Sequence, residues 1–187
     1  MNRKNTILSL FAILVIIQLA VPLSMISQRE MTLRTGTLYK FRTAPVAPAD
    51  AFRGRYVALQ IEGQNLAIPQ SVSFTSGQKV CAILNEDTNG FAHISRLTAD
   101  RPRGNASIPV TIRYVYGTNA QVQVPFDRYY MGENNAPKAE AAYRAHSRRT
   151  NHTTYVTVRV LDGFAVLEEL YIDDIPIKEF LKKERTR

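Results

Sequence analysis

Cysteine, histidine and glycine-rich loops are scarce in this chain, and each scarcity closes off a class of chemistry. A single cysteine, Cys81, in 187 residues leaves no intramolecular disulfide and no C-x-x-C metal or redox pair. It sits in the apolar run Val80–Leu84 and reads as a small core residue. The three histidines, His93, His146 and His152, lack the H-x-x-x-H spacing that sets two imidazoles on one helix face, so no metal site is expected. His93 reads as a strand residue and His146 as a helix-face residue. No glycine-rich phosphate loop, internal repeat or low-complexity segment is present, and no cofactor is implied. RNP, helix-turn-helix and zinc-finger patterns are missing too, so no nucleic-acid partner is expected.

Charge is missing from one stretch altogether. Ile7 to Ile26 carries no ionisable side chain, and its only polar ones are Ser9, Gln18 and Ser24. As a helix it would reach roughly 30 Å, the hydrocarbon thickness of a bilayer. A cleaved signal peptide has an apolar region of about 7–15 residues and an A-x-A-like cut site; this run is longer and no such pair follows it. A buried helix of a soluble protein would alternate with polar residues, which this run does not. Residues 1–27 are therefore expected to be an uncleaved membrane anchor, 28–36 a connector, and 37–187 one extracytoplasmic domain. Pro22 is tolerable near the end of such a helix. Arg3 and Lys4 favour an N-terminus on the cytoplasmic side, although Arg29 and Arg34 weaken the asymmetry.

Acidic residues are absent before Glu30, so all 16 lie beyond the anchor with 22 of the 24 lysines and arginines. The external part thus carries about +6. Its arginines are scattered, as on a generally solvated basic surface. Attraction to anionic headgroups beside the anchor is the sharper alternative, at up to ~1 kcal/mol per cation.

Beyond the anchor the pattern is dominated by period-2 alternation. Strands are expected at Thr37–Thr43, Arg55–Glu62, Gln78–Leu84, Phe91–Leu97, Ile108–Tyr116 and Ala120–Phe126, with a short one at Leu66–Ile68. Pro45 and Pro48 end the first in an extended loop. One helix is expected at Pro137–Arg149, capped by Asn134 or Asn135, with Ala139, Ala142, Tyr143 and His146 on one face and Glu140 paired to Arg144. The last hairpin is the clearest local feature. Tyr155–Leu161 and Phe164–Ile172 flank Asp162-Gly163, a two-residue turn. Leu161 should then face Phe164, Val160 face Ala165 and Val158 face Leu167, with Arg159 diagonal to Glu168. The expected fold class is α+β, mostly β: an antiparallel open barrel or sandwich-like domain with one α-helix behind an N-terminal transmembrane helix.

The run Arg53-Gly54-Arg55-Tyr56-Val57-Ala58-Leu59-Gln60-Ile61 resembles a bacterial family named for its motif, GDYXXLXY. Pro45-Val46-Ala47-Pro48 with Phe52-Arg53, then Ser76 to Val80, then Arg128-Tyr129-Tyr130 with Glu133, and finally Asp162 to Asp173 match further family segments in order. The resemblance implies a membrane-anchored bacterial protein without established activity, working beside polytopic membrane proteins. Within the name motif Gly54, Tyr56 and Leu59 match, whereas the Asp position is Arg55 and the final Tyr position is Ile61. A role resting on that carboxylate does not carry over. A structural role for Gly54 does.

The same run is similar to a strand of type I signal peptidases, which use a serine nucleophile and a lysine base. Ser24 and Ser27 fall in or at the edge of the apolar run, and the neighbours of Lys79 do not form the peptidase lysine motif. Catalytic residues are therefore not assigned, and a degenerate or unrecognised hydrolase on such a scaffold is the alternative function. Glu86-Asp87, Glu168-Glu169 and Asp173-Asp174 read as solvated pairs, the first and third in turns and the second on a strand, where adjacent residues point to opposite faces. Arg128, Tyr129, Tyr130 and Glu133 are the candidate partner-binding residues, Tyr and Arg being the types that dominate binding hot spots. The expected partners are the lipid bilayer and another membrane or envelope protein. Packing of this aromatic cluster under the helix is the plainer alternative.

Overall fold

The computed structural model describes residues 3–44, 56–69, 73–102, 106–132, 135–147 and 152–185. Its first element, α1 (Arg3–Thr35), runs through the uncharged stretch and on through the expected connector. The continuity has a local cause. Residues 28–35 contain neither glycine nor proline, and Glu30 and Arg34 meet at 2.8 Å one turn apart, a spacing that supports helix. Pro22 lies inside α1, where it removes a backbone donor without ending the helix. The large apolar side chains between Ile7 and Ile26 stand exposed, and Ile7–Thr35 is long and apolar enough to cross a membrane.

The last turn of α1 docks on the domain. Thr32 is fully buried, and the Gly36 N–H donates to its carbonyl at 2.9 Å. A Cβ at Gly36 would lie 2.4 Å from that oxygen and 3.2 Å from the carbonyl of Val160. Arg159 donates to the Gly36 carbonyl at 3.1 Å. Only glycine fits this crossing.

β1 (Thr37–Ala44), β2 (Tyr56–Ala58), β3 (Gln60–Ile61) and β4 (Asn65–Ala67) open the domain. β5 (Lys79–Glu86), β6 (Ala92–Thr98), β7 (Ser107–Tyr116) and β8 (Asn119–Gln123) follow. β9 (Arg128–Tyr130) precedes α2 (Ala136–Ser147), and β10 (Thr154–Leu161), β11 (Phe164–Ile172), β12 (Ile175–Pro176) and α3 (Ile177–Arg185) complete it. One five-stranded sheet has the order β12-β11-β10-β1-β3 and another β4-β8-β7-β5-β6, while β2 and β9 form a two-stranded ribbon. A parallel bridge from Lys40 to Phe91 links the two larger sheets. The antiparallel strands wrap a shared apolar core as a nearly closed barrel, so the domain is mostly β as expected.

Within the domain, the clearest departures from the sequence pattern are a divided strand and an added helix. The single strand expected over Arg55–Glu62 is divided at Leu59: β2 pairs with β9, whereas β3 pairs with β1. Leu59 sits between them, its N–H donating to the Asp127 carbonyl at 2.9 Å. The second is α3, a soluble helix in addition to the one expected. Ile177 and Leu181, one turn apart, are both buried against the core, the spacing of an amphipathic helix.

The helix expected from the sequence is α2, burying Ala139, Ala142 and Tyr143 with Glu140 and Arg144 at 2.6 Å. The Tyr143 hydroxyl donates to the Ala44 carbonyl at 3.0 Å and ties α2 to β1. In the β10–β11 turn Asp162 and Gly163 have φ of 49° and 75°, the left-handed pair of a type I′ turn. The expected pairs Leu161–Phe164, Val160–Ala165 and Val158–Leu167 form. Beyond Val158 the register slips: Thr157 pairs with Glu169, leaving Glu168 unopposed in a β-bulge.

Candidate functional site

The Arg128-Tyr129-Tyr130 segment and the matched family motif lie side by side. β9 pairs with β2 so that Tyr56 faces Tyr130, Val57 faces Tyr129 and Ala58 faces Arg128. Strand alternation then sorts the side chains. Val57 and Tyr129 enter the core; Tyr56, Arg128 and Tyr130 remain on the other face. The Tyr56 and Tyr130 rings are 5.7 Å apart between centroids, and the Arg128 guanidinium lies 5.1 Å from the Tyr56 centroid. That arrangement is a cation–π contact on an aromatic pair. Tyr130 keeps 64% of its surface exposed. Arg128 is also 3.7 Å from the Asp127 carboxylate, which accepts from the Gln123 amide at 2.9 Å.

Tyr129 therefore leaves the expected binding set. Its hydroxyl donates to Glu169, which also accepts the Leu170 N–H at 3.1 Å and stands 3.9 Å from Lys178 Nζ. Burial first, then the bond to Glu169 and its negative charge, raise the Tyr129 phenol far above the usual tyrosine range. It serves as a neutral donor.

The bulge also corrects the opposite-face expectation for Glu168 and Glu169. Leu167 and Leu170 both turn toward the core, opposite Val158 and Val156, so both carboxylates fall between two inward residues. Glu168 pairs with Arg159 at 3.2 Å, close to the diagonal expected. Glu169 is not a solvated carboxylate, and no local pattern announces a partner forty residues away.

Leu59, of the family motif, is a core residue. Gly54, Arg55 and Glu133 lie outside the described residues. The exposed cluster is thus Arg128 and Tyr130 with Tyr56, which sequence analysis had placed in the motif but not in the patch. Beside it runs a groove of about 250 Å³, lined by Arg29, Arg128, Tyr130, Phe164, Leu167 and Lys178 among others.

The histidines meet despite their sequence spacing. The His146 and His152 rings are 4.7 Å apart, and His146 packs edge-on against Phe180 of α3 at 5.0 Å. They line a cavity of about 840 Å³ with Ile175, Phe180 and Lys182. His152 Nδ1 bonds the Asp173 carboxylate, which also accepts the Thr153 N–H at 2.9 Å. Burial pushes the Asp173 carboxyl up, but the bonds from His152 and Thr153 together outweigh it and hold the group below its usual range. Among the described residues no group of three His, Cys, Asp or Glu side chains is placed to hold a metal ion. His93 is an exposed residue of β6, and Cys81 is half-buried on β5 instead of fully in the core.

An apolar N-terminal helix of membrane-crossing length, followed by a mostly-β domain, fits the class of membrane-anchored proteins. A family model described as GDYXXLXY protein matches residues 18–170, and the chain belongs to that family. No curated protein and no solved structure matches it.

Proposed function

We propose that this protein is a single-pass accessory protein of the bacterial cytoplasmic membrane. In this reading α1 remains in the bilayer, the domain faces the cell exterior or periplasm, and the Tyr56–Arg128–Tyr130 face receives another membrane or envelope protein. The observation that carries it is the exposed Tyr130 ring beside Tyr56, with the Arg128 guanidinium over the Tyr56 ring. Tyr and Arg give large contact area and directional donors at little entropic cost, which is why they anchor interfaces. Support for the anchor comes from the exposed apolar side chains of α1 and from Arg3 and Lys4 before it.

The test is a photocrosslinking residue in place of Tyr130, in the full chain, irradiated in native membranes. One dominant membrane-protein adduct is expected, reduced at least about tenfold by Arg128→Ala, the loss of a ~1.4 kcal/mol contact. A diffuse pattern unaffected by Arg128→Ala would sink the partner reading. A mature protein recovered free of membrane, without its first two dozen residues, would sink the anchor.

The hydrolase alternative draws support from the His152–Asp173 pair beside the larger cavity, an arrangement able to orient an imidazole base. A peptidase-like serine–lysine pair has no such support: the Ser24 hydroxyl donates to the Val21 carbonyl at 2.7 Å.

A further inference from the structure

The groove beside the patch has a chemistry of its own. Three elements each bring a cation to it: Arg29 from α1, Arg128 from β9 and Lys178 from α3. Arg29 follows Ile26, the end of the uncharged run, by three residues, about 4.5 Å along a helix. The polar interface adds roughly 5–8 Å on each side of the hydrocarbon. With α1 in the bilayer, Arg29 therefore lies at headgroup depth.

The acidic groups nearby take their shorter hydrogen bonds from other donors. Glu168 pairs with Arg159 at 3.2 Å, Glu169 takes the Tyr129 hydroxyl, and Asp127 takes the Gln123 amide at 2.9 Å. Arg128 and Lys178 make long ion pairs with Asp127 and Glu169, at 3.7 and 3.9 Å, and Arg128 also bonds Tyr130, which leaves part of each cation's donor capacity unused. Arg29 makes no ion pair among the described residues. Donors suited to a phosphate remain available on all three sides.

The walls and the size of the groove suit the same depth. Phe164, Leu167 and Tyr130 supply aromatic and aliphatic surface, as proteins do at the boundary between acyl chains and water. At about 250 Å³ the groove is smaller than the ~300–1,000 Å³ of sites that enclose a whole small molecule. It can cradle a headgroup whose acyl chains stay outside it.

The geometry points to a lipid site: Arg29, Arg128 and Lys178 hold the phosphodiester of one anionic phospholipid from the leaflet in which α1 ends. This goes beyond the protein-partner reading and rests only on its membrane anchor.

The test uses the full chain in nanodiscs of phosphatidylcholine with a minor fraction of phosphatidylglycerol, reading by native mass spectrometry which lipids leave with the protein. Phosphatidylglycerol should be enriched over its bulk fraction by about fivefold for each cation engaged, less at high salt. The double variant Arg29→Gln, Lys178→Gln should keep only the roughly fivefold enrichment that Arg128 supplies, while Lys178→Arg keeps the whole. Melting of the domain, followed by circular dichroism, checks that the variants fold.

Equal retention of the two lipids by the unsubstituted protein overturns the proposal. So does undiminished enrichment in the folded double variant. If inorganic phosphate alone stabilises the detergent-solubilised protein as much as phosphatidylglycerol does, the site takes free phosphate and the lipid assignment fails. Failure of the chain to enter nanodiscs would overturn the anchor and, with it, the headgroup site.

Discussion

Replacing Gly36 by alanine is the sharpest perturbation of the junction between α1 and the barrel. The added Cβ would meet the Thr32 carbonyl at 2.4 Å and the Val160 carbonyl at 3.2 Å. Both are backbone oxygens, so no rotamer change relieves the contact, and either the last turn of α1 or β10 has to shift. Thr32 is fully buried there, and Arg159 reaches the Gly36 carbonyl at 3.1 Å. A shift therefore loosens packing and a hydrogen bond together. Overpacking of this kind costs about 1–3 kcal/mol, which lowers the melting temperature of a domain this size by roughly 2–12 °C. Gly132 provides the matched control, since a Cβ there meets nothing within 4 Å. Melting of the full chain in detergent should show the loss for Gly36→Ala and for Gly36→Ser, and little change for Gly132→Ala. Hydrogen exchange should locate the loss in residues 30–36, with the β10 and β11 amides still protected. Equal melting of Gly36→Ala and the unsubstituted protein, with protection of 30–36 intact, would refute the close-packed junction.

Two pH limbs follow from the same side chains. Burial raises the Tyr143 phenol to about 12 and lifts Tyr129 well above its ordinary range. Raised phenols contribute stability that is complete below the unfolded value of about 10 and is lost as pH rises through the folded value. Urea unfolding should weaken above about pH 10, and a double Tyr129→Phe, Tyr143→Phe variant should flatten that limb; an unchanged limb would remove both groups from the account. Asp173 behaves oppositely, because its carboxyl is held below the usual range by His152 and Thr153 against the upward push of burial. Its contribution is present above the ordinary carboxylate pKa and fades as pH falls through the lowered one. Asp173→Asn should lose stability at neutral pH and show a shallower acid limb, read by melting in graded buffers.

Local chemistry was legible in the sequence wherever one segment determined its own geometry. Asp162-Gly163 sufficed for the β10–β11 turn and its first three pairings, because only residues tolerant of positive φ suit a two-residue hairpin. Alternation likewise gave β1, β5, β6 and β7, and the Ala139, Ala142, Tyr143 spacing gave α2. What stayed hidden was decided at a distance. Leu59 divides its strand because β1 and β9 compete for the two halves. Tyr129 is withdrawn from the surface by Glu169. Tyr56 joins the patch only through its pairing with Tyr130. The length of α1 and the presence of α3 were readable in principle: Gln28–Thr35 has no helix breaker, and Ile177, Phe180 and Leu181 recur at helical spacing.

The unopposed glutamate in β11 acts like a dislocation in a crystal row. On its turn side, odd-numbered positions such as Ala165 and Leu167 face the barrel interior; past it, even-numbered positions such as Leu170 and Ile172 do. The parity of the strand is inverted midway, and Glu168 is the one residue that takes up the difference. Exchanging Glu168 for another side chain leaves the phase untouched. Excising it would remove the extra residue and leave Leu167, Glu169 and Leu170 in plain alternation, with their pairs on β10 unchanged.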